Sequence, residues 1–471
     1  MALERERTMN RRDLLGTLAV TGSGLLLPRV AMARTPAIRL TFDPKRTGPT
    51  IPRDFVGLSF ERAQLSNPGY FSPTSRVFVS LVRGLSPSGV IRLGGSSGEH
   101  TRYVGDRIIP PAFEIHGPEH NKLNREGLNV STLALQNLRG FLDATGWTCL
   151  YGLNLAHATP DEAAREAVDV TRILGQRLVA LQIGNEPDAF RNRYRPANWG
   201  PADYLAEWDR FHSAIVAAVP GARFAGPAIS NKLDYLTAFA AVAKRYPDIA
   251  MLTGHYYAMG PAGSPEATLD RLKVPEAKTA TFKQAGYDAV TAARQVSGLP
   301  YRMAEGNSCW DGGKVGVSDV HAASVWGANR MLDWARRGWI GINWHGGGYG
   351  NYSPIVGTPT KGFTRRPLYY GTQFGQRFDG ATFLATSAPE VPYFDHYALR
   401  KDGRDHIVLV NQGDGPVTVE LPATPEPGVT ILTGPAAAAR DATSLTSRKR
   451  RPVRTVTVPP VTAMDFTVAR R

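Results

Sequence analysis

Cysteine is scarce in this chain of 471 residues, which contains only Cys149 and Cys309. A small fold stapled by disulfide bonds is therefore excluded. Hydrophobic runs are also short: no window of about 18 residues is free of polar side chains, which excludes a multi-span membrane protein. Cysteine and histidine show no metal-binding spacing, and no glycine-rich phosphate loop follows the first predicted strand. We therefore expect neither a metal site nor a cofactor.

Acidic residues are outnumbered, because 55 Lys and Arg face 41 Asp and Glu and the net charge is +14. The surplus is unevenly placed: residues 1–33 carry +2 and residues 440–471 carry +6. The body of the chain keeps a mild surplus, so we expect no nucleic-acid partner. The basic run at 448–451 is interpreted as a solvated loop, with a secondary contact to a polyanionic glycan as the alternative. Since 42% of the residues are hydrophobic, a sizeable core is expected and a wholly disordered chain is excluded.

The N-terminus has the features of an export signal. Paired arginines at positions 11 and 12 precede an apolar stretch over 14–27 that is too short and too rich in Gly and Ser to span a bilayer. Alanines at positions 31 and 33 then offer a cleavage site, and the paired arginines are typical of the twin-arginine pathway. We expect residues 1–33 to be a signal peptide and the protein to be periplasmic or extracellular. An ordinary N-terminal helix is the alternative.

Short apolar stretches alternate with amphipathic helical stretches over residues 49–379, which is typical of parallel βαβ units. Thr159-Pro160-Asp161-Glu162 marks one helix start with an N-cap, a first-turn proline and a reciprocal glutamate. Eight such units predict an α/β fold, the (β/α)8 or TIM barrel. The predicted strands are 55–60, 89–93, 149–155, 178–183, 223–226, 249–254, 301–304 and 341–344.

Two regions depart from this alternation. Residues 96–129 form a long segment without a clear period, which in a compact domain is usually a functional rim or a lid. Residues 380–471 contain β-type runs separated by Gly, Pro and Asp, and predict a C-terminal antiparallel β-sandwich. The segment 34–48, strand-like at 37–42, is expected to join that sandwich. The C-terminal strand candidates are 393–400, 406–411, 417–421, 430–432, 453–458 and 464–468.

Two glutamates, Glu186 and Glu305, stand at the ends of the fourth and seventh predicted barrel strands. Residues at the carboxyl ends of barrel strands face the active site, so the two carboxylates lie nearly opposite each other across the mouth. Hydrolysis of a glycosidic bond needs two carboxyl groups, one to protonate the leaving oxygen and one to attack the anomeric carbon or activate water. The placement of both residues favours a glycoside hydrolase over two unrelated surface glutamates.

The residues around this pair carry a family resemblance. Asn185-Glu186-Pro187 and the later Glu305 are typical of the clan of retaining (β/α)8 glycosidases. The run after Glu305 narrows the resemblance from the clan to one family. The chain resembles glycoside hydrolase family 79, the β-glucuronidase and heparanase family, over about residues 50–375. The appended β-module also matches the architecture of that family. The supporting stretches are GLSFE at 57–61, IRLGG at 91–95, IGNEPD at 183–188, GHYY at 254–257, EGNS at 305–308, DGGK at 311–314 and VSD at 317–319.

The resemblance implies roles for the residues at the strand ends. Glu186 would be the general acid/base, and Glu305 the nucleophile. The acid needs a raised pKa, which partial burial and the negative charge of Glu305 would supply. Asn185 would hydrogen-bond the sugar 2-OH, a contact that strengthens in the transition state. Tyr256, at the end of the sixth strand, would orient Glu305.

The resemblance also implies a sugar pocket. Glu61 matches the acidic residue that grips sugar hydroxyls, with a solvated or core-paired acid as the alternative. Trp310 and Gly312 fall where the family surrounds the uronic carboxylate with an aromatic side chain and backbone amides. The family has Tyr at the position of Trp310, and an indole N–H donates a hydrogen bond but cannot accept one. Tyr352 matches a carboxylate-binding Tyr, and Tyr349 competes for this role.

Five further residues have two interpretations each. Asn231 follows the fifth strand and is either a substrate contact or a plain loop residue. His255 and His345 are interpreted as structural histidines, with a place at the barrel mouth as the alternative. Cys149 is predicted to be a buried free thiol, and Cys309 lacks the His and Asp partners of a nucleophile. A disulfide between the two cysteines is the alternative for an exported protein, although their strands are far apart around the barrel.

The resemblance implies hydrolysis of β-linked glucuronides by double displacement, and a glucuronic-acid-containing glycan or glycoside as the partner. The first hypothesis is an exo-acting β-glucuronidase. The second is an endo-acting, heparanase-like enzyme on an acidic polysaccharide, and the third is a non-catalytic carbohydrate-binding protein. The third is disfavoured because both carboxylates are present. The segment 96–129 would separate the first two hypotheses, since a wall on one side of the pocket admits chain ends alone.

Overall fold

The computed structural model describes residues 37–109, 128–273, 284–440 and 442–469, which belong to one structural unit. The predicted signal peptide, residues 1–33, lies outside the described residues. So does the middle of the predicted long segment, residues 110–127. Within the described ranges, no helix combines the length and the apolar character that crossing a membrane requires.

Eight parallel strands close into a barrel, so the predicted (β/α)8 fold is confirmed. Each pairs with its neighbour along the chain, and the eighth closes the ring by pairing with the first. The strands up to this point are β1 (Ile38–Arg39), β2 (Thr41–Thr50), β3 (Val56–Glu61), β4 (Val90–Gly94), β5 (Arg102–Tyr103), β6 (Asn129–Val130), β7 (Thr148–Leu153), β8 (Leu178–Ile183), β9 (Phe224–Ile229), β10 (Ile249–Pro261), β11 (Tyr301–Trp310) and β12 (Ile342–Gly346). The barrel consists of β3, β4 and β7 to β12, and β5 pairs with β6 beside it.

Nine helices in the described residues surround or follow these strands: α1 (Arg76–Leu85), α2 (Thr132–Thr145), α3 (Pro160–Leu174), α4 (Pro201–Ala218), α5 (Leu233–Val242), α6 (Leu269–Lys273), α7 (Gln284–Ser297), α8 (His321–Arg336) and α9 (Pro367–Gln376). The predicted capping box at the start of α3 is confirmed. The Glu162 carboxylate accepts a hydrogen bond from the backbone N–H of Thr159 at 2.8 Å, and the Glu162 N–H donates to Thr159 Oγ1 at 3.3 Å. These bonds satisfy backbone donors that a helix start leaves open.

Two barrel strands continue well past their predicted ends. β10 and β11 were expected to end at positions 254 and 304, but they pair with each other as far as Pro261 and Trp310. The register between them shifts after Gly254, which is the mark of a β-bulge. Because these extensions rise at the carboxyl ends of the strands, they form one side of the barrel mouth.

The C-terminal residues form a module of two packed sheets, and the predicted β-sandwich is confirmed. Its strands follow a hairpin of β13 (Ile355–Thr358) and β14 (Gly362–Arg365), and are β15 (Thr382–Ser387), β16 (Phe394–Lys401), β17 (Arg404–Asn411), β18 (Val417–Glu420), β19 (Val429–Thr433), β20 (Ser444–Arg448), β21 (Thr455–Val458) and β22 (Thr462–Val468). One sheet has the order β2-β15-β16-β17-β22-β19-β20, and the other has the order β1-β18-β21. The N-terminal segment thus gives one strand to each sheet. The β1–β18 pair is parallel, and the other pairs of the module are antiparallel.

Helix α8 is buried along nearly all of its length because it lies between the barrel and the β-module. At its start, His321 Nε2 donates to the carbonyl of Val461 at 2.8 Å. Further along, Asn329 Nδ2 donates to Asp395 Oδ2 at 2.7 Å. A helix covered on both sides has to satisfy its polar groups inside the protein, and these contacts do so across the junction.

Candidate active site

The two predicted catalytic glutamates meet at the carboxyl ends of β8 and β11. Glu186 follows β8 and has left-handed backbone angles, φ 53° and ψ 54°, which cost a residue with a side chain about 1–3 kcal/mol. Its N–H donates to the carbonyl of Ala228 at 2.9 Å. Glu305 lies inside β11, where its side chain is buried. The strained turn therefore aims one carboxylate from a loop at another that is fixed on a strand.

The spacing of the two carboxylates suits a retaining mechanism. One oxygen of Glu186 and one of Glu305 lie within 4.8 Å of each other. Carboxyl groups of retaining glycosidases are about 5–5.5 Å apart, and those of inverting enzymes about 6.5–9.5 Å. The two environments also differ, because the Glu186 side chain keeps 25% of its exposure and that of Glu305 only 7%. One carboxylate is thus open to exchange a proton, and the other is held in place.

A buried arginine that the sequence reasoning missed stands at the centre of the site. Arg92 on β4 is fully buried, and its Nη1 donates to Glu305 Oε2. A buried cation is stable only where it is paired and its N–H groups find acceptors. The signal was available, since an arginine stands inside the apolar strand sequence VIRLG. Its other acceptors are Asn185 Oδ1 (2.6 Å), Gln182 Oε1 (3.1 Å), Ser59 Oγ (3.3 Å) and His255 Nε2 (3.4 Å).

Glu305 is held in its ionised form. Burial raises the pKa of its carboxyl, but the charge of His345 and the guanidinium of Arg92 outweigh this effect and lower the pKa to about 2. The hydroxyl of Tyr257 donates to Glu305 Oε1 at 2.7 Å. Hydrogen bonds and positive neighbours favour the charged form of a carboxylate. Glu305 therefore stays a carboxylate throughout the neutral and mildly acidic range.

The tyrosine that orients Glu305 is Tyr257, so the assignment of this role to Tyr256 was wrong. Successive side chains of a strand point to opposite faces, and Tyr257 lies on the face of β10 that looks into the barrel. The ring of Tyr256 points the other way and packs edge-on against Trp334 of α8, with centroids 4.9 Å apart. The register shift after Gly254 makes counting from the strand end an unsafe guide to this face.

His255 connects Glu186 to the central arginine. Its Nδ1 is 2.9 Å from Glu186 Oε1, and its Nε2 is 3.4 Å from Arg92 Nη2. Because a guanidinium can only donate, Nε2 is the acceptor and Nδ1 carries the proton that is donated to Glu186. His255 therefore has a place at the barrel mouth. The donor atoms of Glu186, His255 and Glu305 lie close enough to share a cation, but both ring nitrogens are engaged and Arg92 already supplies positive charge, so no metal-dependent step follows.

His345 lies between two carboxylates on the opposite side of the site. Its Nδ1 is 3.0 Å from Ser59 Oγ and 3.6 Å from Glu305 Oε2, and its Nε2 is 3.6 Å from Glu61 Oε1. Burial lowers the pKa of His345, but the charges of Glu305 and Glu61 outweigh it and leave the pKa above the ordinary value. His345 thus lines the mouth and contributes positive charge there.

The structure brings Glu61 and Tyr352 into this cluster. Glu61 Oε2 accepts from the backbone N–H of Ser97 at 2.8 Å. The buried ring of Tyr352 is 5.9 Å from that of His345 and 6.4 Å from that of Tyr257, centroid to centroid. Burial raises the pKa of Tyr352 well above the ordinary value, and the nearby Glu305 adds to this, so the phenol keeps its proton.

The competing residue Tyr349 has different surroundings. Its hydroxyl is buried without a hydrogen-bond partner among the described residues, and the ammonium of Lys361 lies 4.9 Å from its ring centroid. Tyr352, in contrast, lies beside the rings of His345 and Tyr257. This placement favours Tyr352 over Tyr349 as the tyrosine that binds the carboxylate of the sugar.

Three other predicted pocket residues lie outside the hydrogen-bonded cluster. Trp310 ends β11 with 44% of its surface exposed, as expected of a rim aromatic. Gly312 has a φ of 78° that favours glycine, and a Cβ there would meet no atom within 4 Å, so it borders open space. The Asn231 side chain is exposed, and its backbone N–H donates to Asp188 Oδ2 at 3.0 Å. The contacts of Asn231 are those of a loop residue.

Two further buried carboxylates were missed, Glu99 and Asp188, and both accept backbone N–H groups next to the turn that carries Glu186. Burial raises the pKa of Glu99 to about 7, while the backbone donors and the charge of Arg62 act against it. The signal for Asp188 was its position directly after Glu186-Pro187. Glu99 offered only an acidic residue within the irregular segment that begins at position 96.

Both cysteines are buried and free, which agrees with the prediction for Cys149 and not with the disulfide alternative. Burial raises the pKa of the Cys149 thiol, which lies within β7. Cys309 Sγ lies 3.3 Å from Ser318 Oγ. Neither thiol is therefore set up as a nucleophile.

Comparison with known proteins gives relatives in sequence. No family model matches the chain. It is 27% identical to a β-glucuronidase of Aspergillus niger over 351 residues, which is 67% of this chain and 63% of that protein. It is 28% identical to a β-glucuronidase of Neurospora crassa over 247 residues, or 46% of this chain and 42% of that protein. The chain thus matches less than two thirds of the length of these relatives. The resemblance to β-glucuronidases that the motifs indicated is confirmed by these similarities.

Comparison with solved structures supports the same fold. A 4-O-α-L-rhamnosyl-β-D-glucuronidase from Fusarium oxysporum 12S superimposes with a TM-score of 0.73 at 16% identity, over 92% of this chain and 100% of that one. A family 51 arabinofuranosidase from Xanthomonas axonopodis pv. citri superimposes with a TM-score of 0.64 at 15% identity, over 92% and 99%. At such low identity these likenesses establish the shared architecture of a barrel with a β-module.

Proposed function

We propose that this chain, with its sequence similarity to β-glucuronidases, is an exo-acting retaining glycoside hydrolase that removes β-linked glucuronic acid. The observation that carries the proposal is the pair of carboxylates, Glu186 and Glu305, within 4.8 Å of each other in unlike environments. A carbohydrate-binding protein without catalytic activity would not need one buried and one more exposed carboxyl at this spacing.

In the first step Glu305 attacks the anomeric carbon of the sugar. A bond forms between a Glu305 oxygen and that carbon while the bond to the aglycone oxygen breaks. Glu186 donates its proton to the departing oxygen, so the leaving group departs as an alcohol. Arg92 and Tyr257 hold the Glu305 carboxylate in place for the attack.

In the second step the glycosyl ester is hydrolysed. The negative charge of Glu305 is now lost, and the carboxylate of Glu186 takes a proton from water. The water oxygen attacks the anomeric carbon, the bond to Glu305 breaks, and the sugar leaves with its β-configuration retained. Since Asn185 Oδ1 already accepts from Arg92, its Nδ2 is the group oriented to donate to the 2-OH.

Recognition of the uronic carboxylate would come from groups that are free of the catalytic ion pairs. Arg92 and His345 are engaged with Glu305, so neither is available as a simple counter-ion. We assign the carboxylate to the phenol of Tyr352 and the backbone around Gly312, with the Trp310 indole N–H as a donor at the rim. Backbone N–H groups can bind an anion without a basic side chain.

An endo-acting enzyme is the second candidate, because a large cavity lies beside the loops that follow β4 and β7. Its lining carries four arginines, Arg102, Arg107, Arg165 and Arg193, against three acidic residues, Glu162, Glu166 and Asp169, which leaves a small positive surplus. Such a surface suits an acidic polysaccharide that extends beyond one sugar. An exo enzyme would release the chromophore from an aryl β-glucuronide. An endo enzyme would leave that compound intact and shorten an acidic, glucuronic-acid-containing chain.

A panel of aryl glycosides tests the sugar class. We expect turnover of the β-glucuronide and at least a hundredfold lower kcat/KM for the β-glucoside, β-galactoside and β-xyloside. Proton NMR of the first product should show the β-anomer, which is the signature of retention. A preference for a neutral sugar would overturn the proposed substrate, and an α-product would overturn the proposed mechanism.

Replacement of the nucleophile tests the assignment of roles. Glu305→Ala should lower kcat by at least ~10⁴-fold while the circular dichroism spectrum stays unchanged, because the variant loses the carboxylate that attacks the anomeric carbon. Glu266→Ala is the matched control, since its side chain is 72% exposed and its contact is with Arg271. Turnover of Glu305→Ala at the wild-type rate would exclude Glu305 as the nucleophile.

We also propose that the protein is exported through the twin-arginine pathway to the periplasm or the medium. The paired arginines and the apolar stretch in the first 33 residues support this proposal. Changing Arg11 and Arg12 to Lys should leave the protein in the cytoplasmic fraction. Equal export of the changed and unchanged proteins would contradict the proposed route.

A further inference from the structure

A buried carboxylate sits directly beneath the turn that carries Glu186. The side chain of Glu99 is 1% exposed and lies in a short 3₁₀ helix that follows β4. Its Oε1 accepts from the backbone N–H of Asn185 at 2.5 Å. Its Oε2 accepts from the N–H groups of Leu155 at 2.8 Å and Ala156 at 2.7 Å. One carboxylate thus joins the chain segments at the ends of three neighbouring strands, β4, β7 and β8.

A second buried carboxylate holds the other side of the same turn, residues 184–188, here called the acid/base turn. Asp188 is fully buried, and its Oδ1 accepts from the N–H of Ser230 at 2.9 Å. Its Oδ2 accepts from the Ser230 hydroxyl at 2.7 Å and from the N–H groups of Asn231 and Lys232 at 3.0 Å each. These partners lie after β9, so the acid/base turn is fastened to a fourth strand end.

The conformation of the acid/base turn has to be stabilised by its surroundings. Glu186 adopts left-handed backbone angles that its side chain disfavours, and such conformations persist only where the surroundings impose them. Its carboxylate must also stay within reach of the His255 ring at 2.9 Å. A small rotation of the backbone at Asn185 would move both the proposed proton donor and the proposed 2-OH ligand.

We propose that Glu99 and Asp188 are positioning residues that clamp the acid/base turn from both sides and so set the place of the Glu186 carboxyl. The inference rests on the proposed function, because it concerns how the general acid is held. Both carboxylates are buried, and their oxygens accept hydrogen bonds from backbone N–H groups. They therefore act through the turn and do not touch the substrate. An ionised carboxylate suits this task since it offers about four acceptor sites and no donor, and Glu99, with a pKa of about 7, is largely ionised in assays at about pH 8.

The substitution Glu99→Gln separates this role from packing. The amide has the same shape, but one of its two heteroatoms becomes a donor. In either orientation the NH₂ group faces a backbone N–H, that of Asn185 or those of Leu155 and Ala156. Glu162→Gln is the matched control, because one Glu162 oxygen accepts both from the Thr159 N–H and from its hydroxyl, and an amide oxygen can do the same.

The first measurement is a series of aryl and alkyl β-glucuronides that differ in leaving-group pKa. A dinitrophenolate departs with little protonation, whereas an alkoxide needs the acid. We expect Glu99→Gln to lower kcat/KM by about 10- to 100-fold for alkyl substrates and by less than threefold for the dinitrophenyl substrate. Asp188→Asn should show the same pattern more weakly, since its amide oxygen can keep the partners of Oδ2. An equal loss for all leaving groups would overturn the proposal and indicate a structural role alone.

The second measurement needs no substrate. Hydrogen exchange followed by mass spectrometry should show faster exchange in peptides that contain Leu155, Ala156 and Asn185 in Glu99→Gln, and wild-type exchange in Glu162→Gln. Unchanged exchange would overturn the clamp. If the wild-type protein cleaves another glycoside but no glucuronide, the proposed substrate fails, and the leaving-group series on the glycoside that it cleaves still decides the role of Glu99.

Discussion

Neighbouring tyrosines on β10 lie on opposite faces of the strand and have different tasks. The Tyr257 hydroxyl donates to the ionised carboxylate of Glu305, whereas the Tyr256 ring packs against Trp334. A hydrogen bond to a charged group contributes about 1.5–3 kcal/mol. Tyr257→Phe should therefore lower kcat/KM by roughly 10- to 100-fold, measured with an aryl β-glucuronide.

The matched variant Tyr256→Phe keeps the ring that packs on α8. We expect its kcat/KM to stay within about twofold of the wild-type value, because the change lies on the outer face of the strand. Thermal unfolding should verify that both variants are folded. The reverse order of the two effects would restore Tyr256 as the residue that orients Glu305.

The charge of His345 predicts a shift in the pH profile. Glu305 has a pKa lowered to about 2, and His345 is the largest of the favourable charges that lower it against burial. Removing this charge in His345→Asn should raise the pKa of Glu305. The acidic limb of kcat/KM, which would report protonation of Glu305, the proposed nucleophile, in the free enzyme, should then move to higher pH. The carboxyl of the substrate titrates equally in the assays of the wild-type protein and of His345→Asn. Coincident pH profiles of kcat/KM for the two proteins from pH 3 to 7 would therefore contradict the effect assigned to the charge of His345.

At the scale of the elements, periodicity predicted the eight barrel strands because each is a short apolar run buried on both faces. It did not predict that β10 and β11 continue to Pro261 and Trp310. These extensions pair with each other over residues such as Tyr257 and Asn307, whose polarity resembles that of a loop. The strand β20 was missed for the same reason, since its sequence, Ser444–Arg448, contains one apolar residue.

Sequence alone predicts those residues of the candidate site whose place follows from their position at the end of one strand. Glu186 and Glu305 follow from this rule, because the ends of parallel barrel strands face one site. The partners Arg92, Glu99 and Asp188 do not follow from it, since their roles depend on which groups meet across different strands. A charged residue in an apolar strand or beside a catalytic motif is a usable signal, as a buried charge must find partners.

At the scale of the whole molecule, α8 ties the barrel to the β-module through buried polar contacts. The helix carries apolar residues on both sides, and its N-terminal His321 reaches the carbonyl of Val461. The same ring lies beside the hydroxyl of Thr443, 3.2 Å from Nδ1. Because these partners belong to the module, the barrel and the module are expected to unfold together in one transition.

This junction makes the stability of the protein depend on pH through His321. Burial lowers the pKa of His321 below its ordinary value, although the bond to Val461 acts against this. The folded state therefore favours the neutral ring. Its contribution to stability is complete above the unfolded pKa of about 6.5 and is lost as the pH falls below that value and through the lower pKa of the folded state. Replacing the ring in His321→Gln should cost about 1 kcal/mol at pH 8, where one buried hydrogen bond is weakened. Between pH 8 and pH 5 the Tm of the wild-type protein should fall further than that of the variant, because every other titrating group is common to both. Differential scanning calorimetry measures both curves, and parallel curves would show that His321 does not couple protonation to the junction.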